Sequence, residues 1–143
     1  MFHLVYVSSA VQPFTTAGLL TLLATSRENN RRDDITGLLL YKEGNFMQVL
    51  EGDEDAVLRL YARIQRDPRH RDVTTLLQGA ISARQFPDWS MAFRHLDSSE
   101  IRSLPGYNDF LNVPLTSEAF AGNPAMVGTL LQIVQSTTSG RRF

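Results

Sequence analysis

Apolar positions along the chain follow first a period of two and then a period near 3.6, and the two patterns exchange several times. Residues 2–8, FHLVYVS, are short, aromatic and β-branched and close at Gln12-Pro13, so a strand is expected there. Thr15 or Thr16 can cap a following helix with Leu19, Leu20, Leu22 and Leu23 on one stripe, whose pattern fades in Ser26-Arg27-Glu28-Asn29-Asn30 before a loop, Arg31-Arg32-Asp33-Asp34. Ile35–Tyr41 and Phe46–Glu51 then read as two strands joined through Lys42-Glu43-Gly44-Asn45, whose glycine permits a tight hairpin. Carboxylates at Asp53, Glu54 and Asp55 suit a helix start, and Val57, Leu60, Tyr61 and Ile64 continue it toward Asp67-Pro68. Val73–Ala83 and Trp89–Arg94 complete the order β-α-β-β-α-β-β, an α+β, ferredoxin-like arrangement. Its strands are apolar on both faces and need cover on both. Two helices cover one face; the region after the last strand is the candidate for the other. There, Ser98–Leu104 predicts a short helix and Glu118–Ser136 a longer one broken at Gly122-Asn123-Pro124, with Ala125, Val127, Leu130, Leu131 and Val134 on its apolar stripe. The expected division is a core over 1–96, a helical cap over 97–137 and a tail over 138–143.

One residue disturbs this pattern. In FMQVLEG, residues 46–52, Gln48 shares its strand face with Phe46 and Leu50. A buried amide brings two N–H donors and one acceptor to a place where an unpaired polar group costs roughly 1–3 kcal/mol, so it must find partners. A backbone carbonyl, a hydroxyl or a water would serve, and so would a ligand. Tyr6 in mid-strand, Asn29-Asn30 at a helix end, and Trp89 and Met91 sharing a strand face each also have an ordinary structural reading.

Composition narrows the classes. The 143 residues make about one domain, 43% hydrophobic and 20% charged, with formal charge −1, so no general basic field exists to hold nucleic acid or an anionic membrane. Arg69-His70-Arg71 reads as a solvated loop. The absence of cysteine removes thiolate catalysis and Cys-type zinc sites and fits a reducing compartment. No apolar stretch approaches the roughly 20 residues of a membrane helix, and the N-terminus lacks a leader pattern, so a cytoplasmic location is expected. His3, His70 and His95 have no metal-ligand spacing, Gly37 is a lone glycine, and Asp33-Asp34 and Asp53/Asp55 read as capping groups rather than an acid–base pair.

In order and spacing these residues resemble the BLUF domains, blue-light sensors that use a flavin. The resemblance rests on Tyr6-x-Ser8, on Asn29-Asn30 followed by Ile35-Thr36-Gly37-Leu38-Leu39, on Phe46-x-Gln48-x-Leu50-Glu51-Gly52, and on Arg84-x-Phe86-x-x-Trp89-Ser90-Met91, over residues 1 to about 95. It implies a ferredoxin-like sheet with the flavin between two helices. The family's tyrosine and glutamine fall on Tyr6 and Gln48, and its ring-edge asparagine on Asn30, with Asn29 beside it. Phe46 and Ile64 would line the ring, Arg63 and Asp67 would lie near the ribityl chain and phosphate with Arg84 as a further candidate there, and Trp89 and Met91 match the pair near the glutamine. The loop Arg31–Asp34 departs from the turn ending in glycine that many relatives have. By this resemblance Gln48 bridges the Tyr6 hydroxyl and the flavin edge. Tyr6 gives an electron to the excited flavin, a proton follows through Gln48, and both return with the amide rearranged. The implied cofactor is FAD, with FMN or riboflavin as alternatives, and the implied protein is a switch without turnover. Output is expected to reach a separate signalling protein, and a homo-oligomer is expected. The competing classes are a light-independent small-ligand-binding module, a small flavoenzyme using the same cleft, and a structural interaction protein.

Overall fold

A computed structural model of the chain describes residues 1–12, 14–86, 92–95, 115–116 and 127–128. The elements run β1 (Phe2–Ala10), α1 (Thr16–Arg32), β2 (Thr36–Lys42), β3 (Asn45–Gly52), α2 (Glu54–Gln65), β4 (His70–Ala80) and β5 (Ala92–His95). They form one sheet of order β4-β1-β3-β2-β5. Among the first four strands every neighbouring pair is antiparallel, the ferredoxin-like arrangement expected, and β5 adds to the β2 edge in parallel.

Local chemistry accounts for the joints. Thr15 caps α1 by accepting a hydrogen bond from the Gly18 N–H at 3.0 Å. The β2–β3 hairpin turns on Glu43 and Gly44, both with positive φ, 50° and 82°. Two such residues give a turn whose twist matches the strands, and it fixes Lys42 opposite Asn45. A Cβ on Gly44 would meet nothing within 4 Å, so the glycine serves conformation rather than space.

Two boundaries differ from the sequence expectation. Helix α1 continues through Asn29, Asn30, Arg31 and Arg32 instead of fading at Ser26. Its inward stripe passes from Leu19 and Leu23 to Asn30, which is only 2% exposed, so the stripe persists after its hydrophobicity ends. Strand β4 spans 70–80 rather than 73–83, because His70 and Arg71 pair with Ala10 and Ser9 on β1 while 81–86 leave the sheet. Of the expected last strand 89–94, the described part is 92–95. Trp89, Met91 and most of the expected helical cap lie outside the described residues; Val127 and Gly128 are helical, and Leu115 and Val127 are buried.

Both sheet faces are buried. Leu4, Tyr6, Leu39, Tyr41, Phe46 and Leu50 join Leu19, Leu23, Val57 and Tyr61 in the cluster beneath the helices. On the other face Val5, Leu38, Leu40, Met47 and Val49 are all at 0% exposure.

Since β4 and β5 occupy opposite edges, the chain between them must cross the whole sheet. Its described part, residues 81–86, passes one end of the sheet, fastened by a buried acid. The Glu51 carboxylate, fully buried, accepts the backbone N–H groups of Gln85 at 2.7 Å and Phe86 at 2.8 Å, and the Thr36 hydroxyl at 3.3 Å. Arg84 donates to the Thr36 hydroxyl, the Glu51 carbonyl and the Asp34 carbonyl at 2.8, 3.1 and 2.8 Å. Removing the acid leaves two backbone donors without their acceptor, each worth about 1–3 kcal/mol. Glu51→Ala is expected to lower unfolding stability in urea by about 3 kcal/mol and to speed amide exchange at Gln85 and Phe86, and Glu51→Gln, which keeps one acceptor oxygen, to cost roughly half as much.

Candidate functional site

The register of the sheet places one row of residues across all five strands. Thr75 lies opposite Tyr6, Tyr6 opposite Gln48, Gln48 opposite Leu39, and Leu39 opposite Phe93. The Tyr6–Gln48–Leu39 stretch of this row is the floor of a cleft of about 240 Å³. One wall is α1, through Leu22, Thr25, Ser26, Asn29 and Asn30; the other is α2, through Leu60, Arg63 and Ile64. Phe46 adds to the floor, and Asp67, Arg69 and His70 stand beyond the end of α2.

At the centre the Tyr6 hydroxyl donates to Gln48 Oε1, both side chains being buried. Burial pushes the Tyr6 phenol far above its usual value, with Tyr61 and then Asp67 adding to the effect, so the phenol stays protonated and acts as donor. The ring is held against Tyr61 at 5.3 Å between centroids, tilted by 41°. The Tyr61 hydroxyl is in turn 2.7 Å from that of Thr75. Tyr6 therefore has little room to turn, whereas an amide can exchange donor for acceptor by rotating in place.

The mouth is ionic. Arg69 binds the Asp67 carboxylate through Nε and Nη2 at 3.0 and 2.5 Å, which holds that carboxyl below its usual range. Arg63 stands 3.7 Å from Asp33, bridging the ends of the two helices. Between mouth and floor, the His70 ring links α2 to β1: Nε2 donates to the Ile64 carbonyl at 2.5 Å and Nδ1 lies 3.0 Å from Ser8 Oγ.

Of the residues singled out in the sequence, Tyr6, Asn29, Asn30, Phe46, Gln48, Arg63, Ile64 and Asp67 all line this cleft. Arg84 is not among the lining residues: its guanidinium donates to the Thr36 hydroxyl and to the Glu51 and Asp34 carbonyls at the sheet end. Leu22, Thr25, Ser26 and Leu60 were legible by helical period, since 22, 25/26 and 29 share one face of α1 and 60 and 63/64 share one face of α2. Arg69 and His70, read as a solvated loop, also line the cleft. No periodicity pointed to them, because they follow the end of α2.

The lining is apolar along its length through Leu22, Leu39, Phe46 and Ile64, carries buried amides at Asn30 and Gln48, and becomes cationic at the mouth. That donor set fits a flat heteroaromatic ring with polar atoms on one edge, the chemistry of a flavin. Among the described residues, no group of acidic, histidine or cysteine side chains could hold a metal ion.

Comparisons with known proteins agree with this fit. Residues 1–92 match the BLUF family, sensors of blue-light using FAD. The photoactivated adenylate cyclase subunit beta of Euglena gracilis is 42% identical over 89 residues, 62% of this chain and 10% of its own length. The blue light- and temperature-regulated antirepressor BluF of Escherichia coli is 37% identical over 65 residues, 46% of this chain and 16% of its own. The chain thus spans about a tenth of the cyclase subunit's length. Among solved structures, the dark state of BlrB, a BLUF protein, superposes with a TM-score of 0.79 at 31% identity, covering 95% of this chain and 96% of that one. The BlsA ground state gives 0.70 at 28% identity, with 92% and 85% covered. This chain belongs to the BLUF family of blue-light sensors that use a flavin.

Proposed function

We propose that the chain is a photosensory switch without turnover, in which Tyr6 and Gln48 carry the light response and FAD is the bound flavin. The observation that supports this most is the buried bond from the Tyr6 hydroxyl to Gln48 Oε1 on the floor of the cleft between α1 and α2. Asn30 and Gln48 would hold the polar edge of the ring, with Asn29 beside them. Phe46, Ile64, Leu22 and Leu39 would exclude water from its faces. The cavity is smaller than the roughly 300–1,000 Å³ of sites that enclose a whole ligand, so the tail would leave past Arg63 and Asp67.

When bound, the flavin supplies absorption of blue light and, once excited, an acceptor for one electron. Tyr6 would be the donor of that electron, and its phenolic proton would move along the existing bond to Gln48 Oε1. Both would return to Tyr6 with the amide rotated or tautomerised, so that donor and acceptor are exchanged at each end and nothing is consumed. The rearranged amide is a metastable state that relaxes in the dark.

The row Gln48–Leu39–Phe93 gives the change a short way to β5. Trp89 and Met91, immediately before that strand, would shift with it, and residues 97–137 would pass the change to a second copy or to a separate signalling protein. Among the described residues no helix is long and apolar enough to cross a membrane, which suits the cytoplasmic placement we propose.

An illuminated difference spectrum tests the assignment. Gln48→Leu is expected to retain flavin and lose the light-induced red shift, and a normal shift would remove Gln48 from the mechanism. Tyr6→Phe fills the same volume without a phenolic proton or an easily oxidised ring, and should lower the yield of the shift by at least about tenfold, the loss expected when a positioned proton donor is removed.

The raised Tyr6 pKa sets the alkaline behaviour. Unfolded tyrosine loses its proton near pH 10, whereas folded Tyr6 keeps it, so above that pH the unfolded state binds fewer protons and stability falls as pH rises. Below about pH 10 the contribution is fully present. Urea unfolding between pH 9 and 11 should show this decline, flattened in Tyr6→Phe, while the light-induced shift of the folded protein persists to about pH 10.

A further inference from the structure

The pairing of β1 with β4 is interrupted at Tyr6. Val5 lies opposite Leu77, whereas Tyr6 lies opposite Thr75, so Leu76 is the extra residue of a bulge. Had the register at Val5 continued, Leu76 would stand opposite Tyr6 and the face beneath the helices would carry a leucine at that point. The bulge brings a hydroxyl there instead: Thr75 Oγ1 lies 2.7 Å from the Tyr61 hydroxyl. Re-aiming one side chain beside a functional group is a recurrent use of a bulge.

Tyr61 joins this hydroxyl to Tyr6. It belongs to α2 and is buried, and its ring centroid is 5.3 Å from that of Tyr6. It does not line the cleft, whereas Tyr6 does. A buried phenol needs a partner for its hydroxyl, and any nearby carbonyl would meet that need. Thr75 is a less direct choice, since it is exposed, sits on an edge strand and reaches Tyr61 only because of the bulge. What this choice adds is direction. Tyr6 has Gln48 opposite it on one neighbouring strand and Thr75 on the other, with the Tyr61 ring against its own. A Tyr61 held at both ring and hydroxyl keeps the Tyr6 ring from swinging and its hydroxyl aimed at Gln48 Oε1.

We infer that Tyr61 and Thr75 are positioning residues that act through Tyr6 and set how long the switched state lasts in the dark. The inference rests on the photosensory reading above and adds the rate of return, which that reading leaves open. For the amide to turn back, its contact with Tyr6 must break and re-form. A ring held in place keeps that contact aligned and the barrier high, whereas a ring free to swing lets it open at lower cost, because a hydrogen bond weakens steeply as it bends. An exposed residue on the edge strand thereby times a buried event.

The test follows decay of the light-induced shift in the dark on the flavin-loaded full chain. Beside it, NMR before illumination reads the Tyr6 hydroxyl proton, identified as the downfield resonance missing in Tyr6→Phe. Thr75→Val and, separately, Tyr61→Phe each remove one hydroxyl of the pair at nearly constant volume and should speed recovery about threefold, and Tyr61→Leu, which also removes the ring, about tenfold. In all three the Tyr6 proton should move upfield, as for a weakened bond. Thr75→Ser keeps the hydroxyl and should restore both the rate and the resonance, which a general loosening of the core would not allow. Unchanged or slower recovery in Thr75→Val and Tyr61→Phe, faster recovery with an unmoved Tyr6 resonance, or the same change in Thr75→Ser would overturn the positioning role while leaving the switch intact. Absence of any light-induced shift in the unsubstituted chain would overturn the photosensory reading, and the timing role with it.

Discussion

Everything in the site depends on Tyr6 and Gln48 standing opposite each other on neighbouring antiparallel strands. Side chains in that relation have Cβ atoms only about 5 Å apart, close enough for a phenol and an amide to meet directly. The contact therefore needs no loop and no induced movement; it follows from register. Register in turn is fixed from two sides. The hairpin at Glu43-Gly44 sets β3 against β2, and burial of both sheet faces forbids a slip, since moving β3 by one residue would carry Gln48 to the far face and bring Met47 or Val49 into the cleft. The Tyr6–Gln48 pair is as rigid as the core that surrounds it, and the freedom left to it is the orientation of one amide.

The same strand carries two buried polar side chains with opposite duties. Gln48 points beneath the helices and Glu51, an odd number of residues on, points to the other face. Glu51 holds the chain that crosses from β4 to β5 through fixed backbone donors, an arrangement with one low-energy geometry. Gln48 faces partners for which either end of the amide will serve. One polar residue makes the fold specific and the other, on the function proposed above, makes it bistable, and the two lie only three positions apart.

Much of this was legible in the sequence because the signals were local or periodic. The order of elements, the hairpin glycine and the amphipathic stripe of α2 follow from propensity and period, and the oddity of Gln48 follows from its apolar neighbours. What was not legible has identifiable causes. Asn30 ended the hydrophobic pattern of α1 without ending the helix, because its buried position is set by tertiary context. Arg84 carries a charge that suits a phosphate, and only the path of the crossover shows that backbone carbonyls and a hydroxyl claim it first. His70 belongs to the cleft through the Ile64 carbonyl and the Ser8 hydroxyl, a pairing across 62 residues in the second case that no window could contain.

Strand β1 is paired without interruption to β3 but irregularly to β4, where the register shifts between Val5 and Tyr6 and again between Val7 and Ser9. β4 spends eleven residues opposite nine, and Asp72, with φ of 55°, lies at the second shift. The mismatch that a twisted sheet must absorb is thus stored on the side of Tyr6 away from Gln48. For anyone grafting or evolving this scaffold, β4 is the tolerant margin: length changes there can be taken up as another bulge, whereas a single insertion in β3 before Gln48 meets burial on both faces and puts the Tyr6–Gln48 contact itself at stake.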